Sequence, residues 1–552
     1  MINKKLILGL GLAIVLSSCG TTKNIHDVAV PEGATATAIS AKKGTMTTEE
    51  IQKWPHADIT SDSIAGMSLV KAYQFVADKK ATTVILAVID SGIDINHDDL
   101  KGQVWTNSDE IAGNGKDDDK NGYIDDIHGW NFLGGEGTAT PEQLEVTRIY
   151  KKLDTKYGDK TADQIAENDK VEYAYYEKVK KDFEARVEKA TGNYDYYQKM
   201  QKTLKDAHEV AVEKLNKEDY TIEDLNTLDE ADQSPMLIRV VSSGSTAAEA
   251  IEQLEGGIKY FGSQVNTMYN VDFNGRTTGD NAYDIKDAPY GNAFVIGSIE
   301  DEMHGTHVSG ISLATRNNGI GMNGVANVKL MAVRAVPDGD EYDKDVALAI
   351  HYAVDNGAKV INMSFGKSYS PDADWVYEAI KYAASKDVLL VHAAGNDGKD
   401  IDKSDNFPTD APNKITEIAD NVITVGAMTK SYDENLVASF SNYGKLNVDI
   451  FAPGAEIYST VPKNEYKSIQ GTSMASPEVA GVAALVRSYY PQLSASQVKH
   501  ILMNSGTKAD FDVVLPGGEN GEKVAFSSLS VSGRILNAYN ALKMADNMVN
   551  AK

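Results

Sequence analysis

The chain has 552 residues, 42% of them hydrophobic, and carries a formal net charge of −26. That length allows one large domain plus an insertion with ample core, and so acidic a balance argues against a nucleic-acid-binding role, which needs basic surface. Cys19 is the only cysteine, which excludes an intramolecular disulfide framework.

At the N-terminus, Lys4 and Lys5 precede an apolar run over 6–16, too short to span a bilayer. Leu16-Ser17-Ser18-Cys19-Gly20 follows. A basic start, an apolar stretch and small residues make a secretory signal, and a cysteine at the cleavage point resembles a bacterial lipoprotein signal. The expectation is a signal over 1–19, lipidation of Cys19 and a flexible, Ala/Thr-rich tether over 20–53. Several acyl chains on one cysteine would hold the protein on a membrane of the cell envelope, expected to be an outer membrane with the protein facing the periplasm or the surface.

The first strand reads from Val84-Ile85-Leu86-Ala87-Val88-Ile89, an apolar, β-branched run typical of a buried parallel strand, with Asp90 at its carboxyl end. Further on, Asp117-Asp118-Asp119-Lys120-Asn121-Gly122-Tyr123-Ile124-Asp125 has the spacing of a calcium loop. Asp117, Asp119, Asn121 and Asp125 fall at positions 1, 3, 5 and 9, Gly122 at 6 and the Tyr123 carbonyl at 7. Position 12 is His128 instead of the usual glutamate, so Asp126 or water would complete the shell. An acidic surface turn is the alternative.

Residues 137–289 read as a largely helical insertion. Leu144, Ile149, Tyr150 and Leu153, then Val171, Tyr175, Val179, Phe183 and Val187, lie near helical spacing. They predict two to four long charged helices broken near Thr191-Gly192-Asn193, with one more helix over 247–260. Both roots of the insertion lie near the carboxyl ends of strands, where open α/β sheets place their sites. It therefore serves either as a cap or exosite over a cleft or as a solvated outgrowth.

His304-Gly305-Thr306-His307-Val308-Ser309-Gly310 begins a small-residue helix, with His304 the candidate base and His307 a packing residue. Val360-Ile361-Asn362-Met363-Ser364-Phe365-Gly366 is another buried strand. A further strand, from Val388, ends in Ala393-Ala394-Gly395-Asn396. Gly471-Thr472-Ser473-Met474-Ala475-Ser476-Pro477 then presents one serine at the start of an apolar helix, with Pro477 expected in its first turn. Asp90, His304, Ser473 and Asn396 are the parts for an orienter, a base, a nucleophile and an oxyanion donor.

Five ordered blocks carry a family resemblance. The chain resembles the subtilisin-like serine peptidases (subtilases) over roughly 60–132 and 290–545, in that family's order Asp, His, Ser. The resemblance implies a three-layer α/β sandwich with a mostly parallel sheet, built from 54–136 and 290–545, with 546–552 as tail. It implies cleavage of peptide bonds in proteins and peptides. Ser364, Phe365 and Gly366 would form one wall of the pocket for the side chain before the cut, and Ala393, Ala394 and Gly395 the other. Segment 533–542 is similar to the family's closing helix. A structural Ca²⁺ would sit in Arg316-Asn317-Asn318-Gly319-Ile320-Gly321-Met322. There the Asn318 side chain, the carbonyls of Arg316, Ile320 and Met322, and Asp99 would supply oxygens. The chain departs from the family in one respect. The stretch between Cys19 and Trp54 is shorter than the ~40 residues below which a domain rarely folds unaided, so no folded prosegment is expected there. A catalytically idle, peptide-binding domain is the alternative function.

Overall fold

The computed structural model describes residues 44–550. The expected signal, Cys19 and most of the expected tether lie outside them. The strands in chain order are β1 (Ile85–Asp90), β2 (Gly129–Asn131), β3 (Lys329–Arg334), β4 (Val360–Met363), β5 (Leu389–Ala393), β6 (Val422–Met428), β7 (Ile450–Pro453), β8 (Ile457–Val461), β9 (Glu465–Ile469), β10 (Thr507–Lys508), β11 (Asp512–Val514), β12 (Lys523–Ala525) and β13 (Arg534–Ile535). Nine of them form one sheet in the order β10-β13-β7-β6-β5-β4-β1-β3-β2. Every pairing is parallel except β10 with β13.

The three layers follow from the period of two along buried strands. On β1, Leu86 and Val88 enter one core with the helices Thr472–Tyr489, Ala495–Ser505 and Ala538–Asn550. Ala87 and Ile89 enter the other, beneath Asp343–Asp355 and Ala373–Ser385. A strand buried on both faces reads as a continuous apolar run, which is why β1, β4 and β5 are evident in the sequence.

The insertion is helical, with two small cores of its own. The helix Glu145–Tyr157 packs Val146, Ile149 and Leu153 against Tyr176, Val179 and Phe183 of the 46-residue helix Lys170–Leu215. The helix Ala247–Ser263 packs on the second half of that long helix. The expected break at Thr191-Gly192-Asn193 does not occur. Gly192 inside a helix costs about 1 kcal/mol, but the flanking turns are held by Tyr197 against Phe261 and Gly257, and by Tyr194 against Gly262. The buried stripe is Tyr176, Val179 and Phe183. Val171 and Tyr175 of the expected stripe are 84% and 37% exposed.

Three further boundaries differ from expectation. Residues 48–53 are not tether but a short helix, because Thr47 and Glu50 form a capping box, and Trp54 after it is fully buried. Residues 533–537 are not helical. Arg534–Ile535 forms β13, and the last helix starts at Ala538, whose N–H donates to the Met67 carbonyl. Pro477 lies beyond the first turn of the helix Thr472–Tyr489. It lacks the N–H that would bond to the Ser473 carbonyl four residues back, and that vacancy is used at the site.

Candidate active site

Asp90 ends β1 and is buried at 1% exposure. Its Oδ1 accepts the Ser91 N–H at 2.8 Å and faces His304 Nδ1 at 2.8 Å, across a sequence separation of 214. His304 opens its helix, and that helix starts so close to β1 because residue 305 is glycine. A Cβ at Gly305 would collide with the Gly92 carbonyl. Burial pulls the His304 imidazole down, but the charge and hydrogen bond of Asp90 outweigh it, and the net shift is upward from 6.5. The side chain keeps 40% of its surface open, and its other ring nitrogen has no partner among the described residues.

The register brings the remaining groups alongside. Ile89 pairs with Met363 and Met363 with His392, so Asp90, Ser364 and Ala393 follow one position on, at the ends of adjacent strands about 4.8 Å apart. Ser473 is fastened to this row. Its hydroxyl donates to the Ser364 carbonyl at 3.1 Å, and its own carbonyl, freed by Pro477, accepts the Ser364 hydroxyl at 2.9 Å. Asn362 Nδ2 donates to Ser364 Oγ at 3.0 Å, and Ser476 Oγ donates to Asn362 Oδ1 at 2.8 Å. Sequence reasoning missed the roles of Asn362, Ser476 and Thr472. The one available signal was a polar residue inside the otherwise apolar strand β4.

Asn396 Oδ1 accepts from the Thr472 N–H at 2.8 Å and from Thr472 Oγ1 at 3.0 Å. These two bonds fix the amide orientation and leave Nδ2 as a free donor beside Gly471. The Ser473 N–H belongs to the first turn of its helix, where no intrahelical acceptor exists. Asn396 Nδ2 and the Ser473 N–H each lie 3.6 Å from the position a Cβ would take at Gly471, at the N-terminus of the helix that carries Ser473.

Gly395 takes a φ of +99°, and a Cβ there would collide with Asn442 Nδ2. A Cβ on Gly366 would lie 2.9 Å from the Phe407 carbonyl, so both segments are closely packed, one against a side-chain amide and the other against backbone. Asn406 Oδ1 lies between them, 3.8 Å from that Gly366 position and 3.4 Å from the one at Gly395. His392 donates Nε2–H to the Phe365 carbonyl at 2.8 Å, and burial pushes its pKa down to about 4, leaving it neutral. His307 is fully buried with Nε2 between the carbonyls of Ile457 and Lys467.

The two loops read as calcium sites have different geometries. Asp99 is fully buried and accepts from Asn318 Nδ2 at 2.6 Å, the Met322 N–H at 3.1 Å and Tyr466 OH at 3.3 Å. Asn318 Oδ1 accepts the Ile320 N–H at 3.2 Å. A buried carboxylate, an amide oxygen and backbone carbonyls are the kind of donors a hard cation takes. The Arg316 guanidinium lies 3.8 Å over the Tyr73 ring and does not enter the loop.

In the acidic loop, Asp117 spends its carboxylate on the N–H groups of Asn121 and Gly122 at 3.1 and 2.9 Å. Asp125 spends its own on Asn114 and Gly115 at 3.1 and 2.8 Å. Their carboxylates close turns and are not in the group of carboxylates that this loop gathers. The carboxylates brought within 4.8 Å of one another are those of Glu110, Asp119 and Asp126. Asn121 Nδ2 bridges Asp119 and Asp126 at 3.0 and 3.1 Å. The Tyr123 ring stacks edge-on against Trp130 and Tyr352. Burial pushes Asp126 up to about 6 against its hydrogen bonds. Glu110 lies seven residues before Asp117, outside the motif that drew attention.

The family model described as "Subtilase family" matches residues 81–526. The chain belongs to the subtilase family. It is 45% identical over 187 residues to the thermophilic serine proteinase of Bacillus sp. (strain AK1), covering 34% of this chain and 42% of that one. It is 39% identical over 224 residues to subtilisin DY of Bacillus licheniformis, covering 39% of this chain and 76% of that one. Among solved structures it is similar to that of the prenylagaramide maturation protease PagA, at 29% identity over 44% of this chain and 82% of that one, with a TM-score of 0.35. The subtilase thus spans less than half of the thermophilic proteinase and three quarters of subtilisin DY.

Proposed function

We propose that this subtilase is a serine endopeptidase that hydrolyses peptide bonds in proteins, with Ser473 as nucleophile, His304 as base, Asp90 as orienter and Asn396 as oxyanion donor. The observation that carries the reading is the 2.8 Å contact of Asp90 Oδ1 with His304 Nδ1, one strand away from the Ser364–Ser473 pair.

The mechanism follows from these atoms. A substrate lying along Ser364–Gly366 as an added strand brings its carbonyl to Ser473. The serine hydroxyl swings from the Ser364 carbonyl to His304, attacks, and gives its proton to the imidazole. Asp90 keeps that ring in the tautomer with Nδ1 protonated and stabilises the imidazolium. Asn396 Nδ2 and the Ser473 N–H receive the oxyanion, and loss of one such donor costs about 10²–10³ in rate. His304 then protonates the leaving amine, and water repeats the sequence on the acyl-enzyme. The walls expose no charged group at Ser364, Phe365, Gly366, Ala393, Ala394 or Gly395, which favours an apolar or broad preference.

Two structural calcium sites belong to this reading, one held by Asp99 and the 316–322 loop, the other by Glu110, Asp119 and Asp126. Their chemistry is stabilisation by hard oxygen ligands. A lipid on Cys19 would keep the enzyme at the cell envelope.

One observation favours the idle peptide-binding reading. The Ser473 hydroxyl is engaged by Ser364 and not by His304. Labelling with a fluorophosphonate decides between the two. Wild-type protein is expected to react and Ser473→Ala not to react. A folded wild-type protein that stays unlabelled would establish the idle domain. A chelator is expected to lower the melting temperature, and an unchanged value would remove calcium from the account.

A further inference from the structure

The insertion meets the peptidase body through a buried ion cluster beyond the carboxyl end of β4. Lys367 directly follows Ser364-Phe365-Gly366. Its Nζ lies 2.8 Å from Glu145 Oε2, 2.9 Å from Asp343 Oδ1 and 2.7 Å from the Glu341 carbonyl. The Lys367 and Glu145 side chains are each 2% exposed. Glu145 belongs to the first helix of the insertion, and its carboxylate also takes Arg148 Nη2 at 2.6 Å. Arg148 in turn donates to the carbonyls of Gln143 and Asp340 at 2.9 and 3.0 Å.

A solvated outgrowth would touch the body through exposed pairs worth little. This contact is different, because a buried charge that loses its partner is costly. The side chain of Lys367 is therefore held in one place, and its backbone is equally fixed. Its N–H and carbonyl exchange bonds of 2.9 Å each with Phe407, next in the chain to Asn406. A second contact lies further along, where Tyr369 OH donates to Asp182 of the long helix at 2.9 Å. The path from the insertion to Ser473 is thus Glu145, Lys367, the segment Ser364–Gly366, and the reciprocal Ser364–Ser473 bonds.

We propose that Glu145 and Lys367 are positioning residues, through which the insertion holds the segment 364–366 that follows β4 at the spacing that an extended substrate backbone needs. The proposal rests on the peptidase reading above. It gives the insertion a part in binding several substrate residues at once, separate from the reactivity of Ser473.

The test compares wild type with Lys367→Met, Glu145→Gln and the conservative Lys367→Arg in the same chain. The readouts are kcat and KM on peptides of increasing length, the rate of Ser473 labelling by a fluorophosphonate, and the melting temperature. Wild-type cleavage and labelling test the peptidase reading, and the ratios of variant to wild type test this one. For long peptides KM is expected to rise about tenfold in Lys367→Met and Glu145→Gln, with kcat and labelling within about threefold of wild type and Lys367→Arg in between. Unchanged KM in the folded variants, or equal losses of labelling and cleavage, would overturn the proposal. Should the buried variants fail to fold, Tyr369→Phe removes only the hydroxyl contact with Asp182. It is expected to raise KM for long peptides about threefold, and an unchanged KM there would equally overturn the proposal.

Discussion

Ser364 and Ser473 hold one another reciprocally, each hydroxyl donating to the other's carbonyl, at 2.9 and 3.1 Å. The bond to the Ser473 carbonyl exists because Pro477 cannot supply the helical one. Ser364→Ala leaves that carbonyl and Asn362 Nδ2 without their partner. The expected cost is about 1–2 kcal/mol of stability for the buried groups left unpaired. Thermal unfolding checks this, and no loss of melting temperature would mean that the pair is incidental.

Asp90→Asn preserves shape but lets the imidazole adopt the wrong tautomer. The expected fall in kcat is about 10⁴, with KM little changed. A variant that retains a tenth of wild-type kcat would remove Asp90 from the mechanism.

The pH profile follows from His304, whose pKa is raised above 6.5 by the Asp90 charge and hydrogen bond outweighing burial. The base must be neutral to accept the serine proton. The acid limb of kcat/KM is therefore expected to have its midpoint above 6.5, with activity rising as pH rises through it. For stability the sign is opposite. The raised value makes the pair's contribution complete below 6.5, and that contribution is lost as pH rises through the folded value. A midpoint below 6.5 would contradict the paired geometry.

Glu478 lies on the helix that carries Ser473, is 1% exposed, and its Oε2 has no partner among the described residues. Burial raises its pKa well above 4.5. The folded state keeps a proton that the unfolded state releases, so stability is full below 4.5 and falls as pH rises from there. Glu478→Gln keeps the shape and removes this dependence. The expected result at neutral pH is a melting temperature higher by a few degrees, with the gain vanishing near pH 4. A lower melting temperature at neutral pH would show that Glu478 is ionised and satisfied.

Some of this was legible in the sequence because local chemistry demanded it. A strand buried on both faces must be apolar throughout, so β1, β4 and β5 announced themselves, and the residues at their carboxyl ends could be picked out as candidates. A serine after glycine at the head of an apolar helix needs a base and an orienter, and the search for them led to His304 and Asp90. The capping box at Thr47 and Glu50 is equally visible, although the composition around it reads as tether.

Other features depended on partners far along the chain. Gly192 looks like a break until Tyr194 and Tyr197 meet the helix Ala247–Ser263. Asp117 and Asp125 fit a calcium loop by spacing, yet the carboxylates that gather within 4.8 Å of one another are those of Glu110, Asp119 and Asp126. A local motif counts ligands along one loop, whereas convergence is set by where the chain returns.

By itself, then, the sequence determined the layered α/β architecture and the residue types of the site, because burial and nucleophile chemistry restrict what can stand at each position. Only the tertiary structure decided that Asp90 and His304 lie 2.8 Å apart, that Asn396 is oriented by Thr472, and that the insertion grips Lys367. Those are distances between groups on different elements, fixed by strand register and helix packing, which no spacing along the chain encodes.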